Sequence, residues 1–292
     1  MAKGIKANFL FWAFFVFIGL SPCCAQDEKN IPLPVHLSSD NGFEIFDQEN
    51  LMIGHKNVMV ERGASTLYAD NCRGYFTKNE SGKKEIERME MEGNTLMVVP
   101  EATAYSDKAV YSVPSDTLTL TGSNLRLYGK DNELFAKKAI IYQPEAKIAK
   151  AIGQAEVQGE TYRLQGDMIT AYFQEVDPDL KKDVAVEKST PSLPGGDQLT
   201  LKKIEADGNV KLIMPDKVAI GDHGIYDAEK DITILIGNVK LSDPERQLEG
   251  EYAEVDRKTG ISKLLPTDPR ENLKLSTVVA SPKKRVRAML IR

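Results

Sequence analysis

The residues best suited to metal or acid–base chemistry are sparse and scattered. His36, His55 and His223 are the only histidines. They stand far apart, with no HExxH pairing and no Cys/His spacing that would hold zinc. Each reads as a strand or turn residue rather than a ligand. There is no GxSxG elbow and no phosphate-cradling glycine loop. Carboxylates are plentiful, but sequence spacing alone identifies no catalytic pair. Asp70, Asp107, Asp167 and Asp222 recur at equivalent places along the chain. Recurrence of that kind points to a turn role, because an Asp carboxylate bonds nearby backbone amides. Glu85, Glu87, Glu90 and Glu92 alternate with Ile86, Met89 and Met91 and read as a solvated strand face rather than a metal site. No enzyme activity, metal or cofactor is expected.

Three cysteines are present: Cys23, Cys24 and Cys72. The first two end an N-terminal export signature. Lys3 and Lys6 precede the uncharged apolar run Phe9–Leu20, which Ser21-Pro22 breaks before Cys23-Cys24-Ala25. The run has twelve residues, whereas a bilayer span needs about twenty. Residues 1–25 therefore read as a cleaved signal peptide. A retained anchor and a lipid-modified cysteine are the alternatives, and Pro22 directly before Cys23 counts against the second. Cleavage after Ala25 takes the formal charge from −5 to −7, because it removes Lys3 and Lys6 and no acid. The mature chain keeps Cys72 alone, so no internal disulfide forms, and Cys72 reads as a half-buried strand residue. An acidic balance also argues against nucleic-acid binding, which needs a basic face. With 41% hydrophobic residues over 292 positions, the chain can fill a core.

The elements that must carry these residues are strands. Asp116–Thr121 places Leu118 and Leu120 on one face and threonines on the other, and Asp231–Ile236 alternates in the same way. Ala136–Ala151 has a helical composition, but Pro144 lies inside it, so it reads as two strands joined by a turn. A Gly signal recurs at Gly54–Val58, Gly93-Asn94, Gly122–Leu125, Gly153–Val157, Gly208–Val210 and Gly237–Val239. Gly and Asn tolerate positive φ, so each predicts a tight turn between strands. Gly93-Asn94, Tyr111 and Gly122 return 115 residues later as Gly208-Asn209, Tyr226 and Gly237. Ile86-Glu87 returns as Ile204-Glu205 at an offset of 118. The chain thus reads as all-β and as two related halves, 33–150 and 151–292, with an exposed Pro/Gly-rich loop insertion at 177–196.

These residues resemble a known family. Val35–Asp40, Gly54–Val60 and Leu67–Asp70 look like the opening of the OstA-like domain of the LptA family. Ser106–Leu127 and, more closely, Ile220–Leu241 resemble that family's tyrosine–aspartate–alternating core, and Arg285–Leu290 its last strand. The resemblance implies an open, V-shaped β-jellyroll, here either one long unit or two stacked ones. It implies a periplasmic protein that binds the lipid A part of lipopolysaccharide and bridges inner and outer membranes. Implied partners are LptC-like and LptD-like components and head-to-tail copies of the chain, joined by edge-strand addition near Val35–Leu37 and Val286–Leu290.

The groove lining expected from the strands is Val35, Leu37, Val58, Val60, Tyr111, Leu118, Leu120, Leu125, Val210, Leu212, Ile232, Ile234 and Val239. Apolar contact with acyl chains is worth about 0.8 kcal/mol per methylene, so such a surface needs no polar pocket. A closed core has the same alternation, and the sequence leaves both readings open. Two other functions stay open as well: a scaffold of the same fold that carries no lipid, and a membrane-anchored LptC-like component. The basic cluster Lys283, Lys284, Arg285, Arg287 and Arg292 reads as a solvated end, or as a contact for phosphates or an acidic partner.

Overall fold

A computed structural model describes residues 35–80, 82–99, 102–129, 132–175, 199–256, 258–259, 261–269 and 285–290. The export segment, the 177–196 insertion and Lys283, Lys284 and Arg292 lie outside them. The described residues form eighteen strands and no helix. In chain order these are β1 (Val35–Ser38), β2 (Phe43–Phe46), β3 (Leu51–Arg62), β4 (Ser65–Lys78), β5 (Lys84–Val99), β6 (Ala102–Ser112), β7 (Thr117–Thr121), β8 (Leu125–Gly129) and β9 (Asn132–Ala136). They continue as β10 (Ala139–Gln143), β11 (Ile148–Gly159), β12 (Arg163–Glu175), β13 (Leu199–Met214), β14 (Lys217–Asp227), β15 (Ile232–Ser242), β16 (Arg246–Asp256), β17 (Ser262–Leu265) and β18 (Arg287–Leu290).

Every pairing is antiparallel, and one ladder runs through all eighteen strands. The fold is an all-β, open jellyroll. Each long strand crosses the molecule, bends, and continues on a second face. The bends are the register shifts, at His55/Val58, Glu92/Thr95, Ile152/Ala155, Asp207/Val210 and Ile236/Val239. Extra residues in one strand of a pair kink it and raise its local twist. Repeating the kink in successive strands folds one ladder into two facing sheets. In two traverses the strand divides outright. β7 and β8 pair with the two ends of β6, and β10 and β9 with the two ends of β11.

Most of the recurrent Gly signal therefore lies inside strands, and Gly122–Leu125 alone of the six links two of them, β7 and β8. Gly93-Asn94, Gly153-Gln154, Gly208-Asn209 and Gly237-Asn238 have positive φ at both residues and lie within strands, as corners. A left-handed residue pair suits a tight hairpin and a strand bulge equally, which is why the sequence did not separate them. The hairpins are made elsewhere, at Gly63, Asn79–Gly82 and Pro144–Lys147, where the Lys147 amide donates to the Pro144 carbonyl at 3.0 Å. This last turn divides the Ala136–Ala151 stretch into strands, as Pro144 predicts.

The recurrent aspartates lock the corners. The Asn94 side-chain amide donates to Asp70 at 2.9 Å, Asn209 to Asp167 at 2.8 Å and Asn238 to Asp222 at 2.7 Å. At the divided corner Asp107 instead accepts the amide and hydroxyl of Ser123, at 2.7 and 2.9 Å. These bonds hold the Asp107 carboxyl below its ordinary range. Each aspartate serves the neighbouring strand's corner rather than a turn of its own.

Side chains that point between the sheets form one large core and a small second cluster around Tyr142 and Phe173. Along the corners the large core is built from small residues packed tightly: Ala69, Ala109, Ala151, Ala206 and Ala253, with Val58, Val210 and Val239. Cys72 sits among them fully buried, not half-buried, and burial pushes its thiol up to about 11. The outer faces mix ion pairs with exposed apolar residues such as Tyr68, Tyr105 and Ile220. Lys108 bridges Glu90 and Glu92 at 3.1 and 2.9 Å, and Arg73 reaches Glu92 at 2.9 Å. The Glu85–Glu92 run is thus a paired strand face. All three histidines lie in strands, and His223 Nδ1 meets Asp207 at 2.6 Å.

Candidate functional site

The trough between the sheets changes character from its corner to its mouth. Val58, Leu120, Leu125, Val210 and Val239 are buried beside the corner, and Val60 is almost so. One strand step toward the mouth, larger aliphatic side chains become half-exposed. Val35, Leu37, Leu118 and Leu212 are of this kind, and with them Leu67, Leu127, Leu134, Val157, Leu164, Ile204 and Leu241. Pleating produces the gradient: residues at i and i+2 share a face, and each step outward leaves the closer sheet-to-sheet contact. The outer set keeps part of its apolar surface in solvent.

Two expected lining residues are placed elsewhere. Ile232 and Ile234 lie on the opposite face of β15 from buried Leu235. Ile234 pairs directly with Ile225 on the outside of the sheet. Alternation fixes a strand's two faces but not which faces in, and in Asp231–Ile236 both faces are aliphatic. The 115-residue register carried the missing signal, since it aligns Leu235, not Ile234, with Leu120. The half-exposed residues Leu127, Leu134, Val157 and Leu164 were missed because their strands are short or interrupted by Gly and charge.

Aromatic side chains finish the mouth on one sheet. Tyr142 and Phe173 form a buried pair flanked by Leu118, Ala149, Ala171 and Leu201. Burial, and secondarily the Asp116 charge, pushes the Tyr142 phenol up to about 12. Tyr111, two residues beyond buried Ala109, stands half-buried on the inward face. Its hydroxyl donates to Asp116 at 2.6 Å and accepts from Arg62 at 3.3 Å. Burial, then Asp116, raises its titration, so this part of the mouth is lined by neutral phenols. Tyr226 repeats the pairing with Asp231, at 3.1 Å. Among the described residues, no three His, Cys, Asp or Glu side chains converge as a metal site would require.

The sequence model of one family, described as LptA/(LptD N-terminal domain) LPS transport protein, matches residues 36–147 and again residues 130–261. The chain belongs to this family. The double match lies on the two halves of the ladder and overlaps at the divided strands β9 and β10. No curated protein matches the chain significantly. A solved structure that matches is LptH from Pseudomonas aeruginosa, the LptA-homologous periplasmic component of the lipopolysaccharide transport device. It is 13% identical, with 89% of this chain and 96% of that chain covered. The TM-score is 0.21, so the jellyroll assignment stands on this chain's own strand pairing. The family is one of lipopolysaccharide transport.

Proposed function

We propose that the protein is a periplasmic carrier that holds the acyl chains of lipopolysaccharide in the trough and forms part of the path from inner to outer membrane. The observation that carries this reading is the row of half-exposed aliphatic side chains at the mouth, Leu118, Leu127, Leu134, Val157, Leu164 and Leu212, backed by a sealed corner. Family membership supplies the ligand class. Acyl chains suit the row because it asks for no fixed polar partner.

The ends of the ladder support a bridging role. Among the described residues β2 pairs only with β3, and β18 only with β16. Ile45 on β2 is 63% exposed and Met289 on β18 is 61% exposed. An unpaired, apolar strand edge is a template for another chain's strand. In this reading LptC-like and LptD-like components, or further copies of the chain, extend the trough at these edges. Export by cleavage after Ala25 is part of the proposal, and sequencing the mature N-terminus tests it; a start at Gln26 is expected.

Photocrosslinking in cells tests the carrier reading. A photoreactive residue at Leu212 or Leu127 captures lipopolysaccharide, whereas one at Ile234, on the outer face, does not. Crosslinks at Leu212 to proteins alone would leave only the scaffold reading.

A further inference from the structure

Among the described residues, Arg62 brings a cation to the largely apolar mouth of the trough. Arg62 is the last residue of β3 and continues the inward face of Val58 and Val60. It lies on one lip. Tyr111, near the end of β6, lies on the other. The Arg62 guanidinium donates to the Tyr111 hydroxyl at 3.3 Å, which closes the opening at that level with one hydrogen bond. The hydroxyl's own proton goes to Asp116 at 2.6 Å. Asp116 is occupied further by the Glu145 amide at 3.3 Å.

Arg62 makes no ion pair among the described residues. Its partner is a neutral phenol, and the Asp116 carboxylate is engaged by that phenol's own proton. Arg88, the arginine on the strand next to Tyr111, is engaged elsewhere. It stacks over Tyr75 at 4.2 Å and pairs with Glu90 at 3.3 Å on the outer face. An arginine with five donors and a single neutral acceptor is under-used. A phosphate offers it a bidentate, charge-assisted pair, about twice as strong as a neutral hydrogen bond.

We propose that Arg62 is the headgroup site of the trough: it takes the phosphate of an amphiphile whose acyl chain lies in the trough, and in doing so releases Tyr111 and opens the lips. This rests on the lipid-carrier reading and adds to it an anionic headgroup, a position and a residue. The acyl chain lies among Leu37, Leu67 and Leu118, and the phosphate exchanges for the phenol at the lip. The clasp is shut when the trough is empty; a ligand that carries both parts replaces its hydrogen bond with a stronger one, and a ligand without phosphate binds more weakly beside it.

The test uses the full mature chain and two soluble probes with the same acyl chain, lysophosphatidic acid and the matching monoacylglycerol. Each displaces a fluorescent fatty acid from the protein. The phosphorylated probe is expected to bind about tenfold more tightly. Arg62→Ala removes that preference and leaves monoacylglycerol binding near its original value, while Arg62→Lys restores part of it. Tyr111→Phe, which removes the competing hydroxyl, increases the preference. Equal preference in the parent and Arg62→Ala proteins overturns the headgroup site and leaves the carrier reading standing. Failure of both probes to bind removes the carrier reading and this inference with it. A separate arm with inorganic phosphate alone is expected to show no displacement, since the site needs the acyl chain. Displacement by phosphate alone counts against the two-part recognition.

Discussion

The corner and the mouth of the trough are built from the same alternation, yet they are different materials. At the corner the side chains are small, the sheets meet, and Val58 and Val210 have no exposed surface at all. At the mouth the side chains are long, and Leu118 and Leu212 stay half-exposed. The corner also carries a set of backbone devices, positive-φ pairs and Asp–Asn bonds, that the mouth lacks. The comparison teaches that the corner determines shape, while the mouth is less tightly held by packing and, in the proposed reading, serves the ligand. Substitutions at the two places should therefore separate stability from binding.

The largest separation is expected between Leu120 and Leu118, neighbours on one face of β7. Leu120→Ala leaves a cavity beside the corner and should cost about 2–5 kcal/mol by denaturant unfolding. Leu118→Ala, already half in solvent, should cost about half as much or less, while weakening acyl-probe binding more than Leu120→Ala does. Equal destabilisation by the two would mean that the mouth is a closed core.

Gly237→Ala tests the corner's backbone. Its φ is 76°, and an added Cβ would stand 2.5 Å from the Asp222 carboxylate. A cost of about 1–2 kcal/mol is expected from the left-handed conformation alone. The same change at Gly42, with open space around it, should cost less, by the part that the Asp222 clash adds. Asp222→Ala removes the bond to Asn238 and should lower stability by about 1 kcal/mol. Neither corner change should alter the preference of the trough for one probe over another.

The smallest effect concerns the outer face. The Lys203 hydrogen bond, and after it Tyr172, holds the Glu205 carboxyl below its usual 4.5. A lowered folded value means stability that is present above pH 4.5 and lost as pH falls through the folded value. Glu205→Gln should therefore flatten the acid limb of the stability profile below about pH 4.5 by a few tenths of a kcal/mol, given its partial exposure. Thermal melts from pH 7 down to pH 3 read this directly.

Cys72 gives a kinetic view of the same contrast. With the thiol raised to about 11 by burial, alkylation at pH 8 should be slow in a chain lacking Cys23 and Cys24. It should speed up only as the corner opens. A cysteine placed at Leu212 should react without any such delay.

Much of this was legible in the residues, for identifiable reasons. The 115-residue register survives in the structure as the equivalence of β5, β6 and β7–β8 with β13, β14 and β15. Pro144 announced its turn, because a proline ring cannot sit inside a helix without cost. The corners were visible as Gly-Asn pairs but were assigned to hairpins, because positive φ is a local property and the partner strand is not. Ile232 and Ile234 were assigned to the wrong face because an all-aliphatic strand has no polar side to orient it. The Arg62–Tyr111 contact had no sequence signal at all. It joins residues 49 apart, and only the folding of one ladder onto itself brings them together.

The unbroken ladder through β11, β12 and β13 has a mechanical consequence. Inter-strand hydrogen bonds lie perpendicular to the strands, and so along the stacking direction that a bridge would span. A pull along that direction loads the bonds one strand at a time, as a zipper is loaded, rather than all together in shear. Bending is resisted, because both sheets must deform at once. Under tension the roll should part where its traverses are divided, at β7–β10, whose strands have only five residues each. A chain of this design is a stiff spacer and a weak rope.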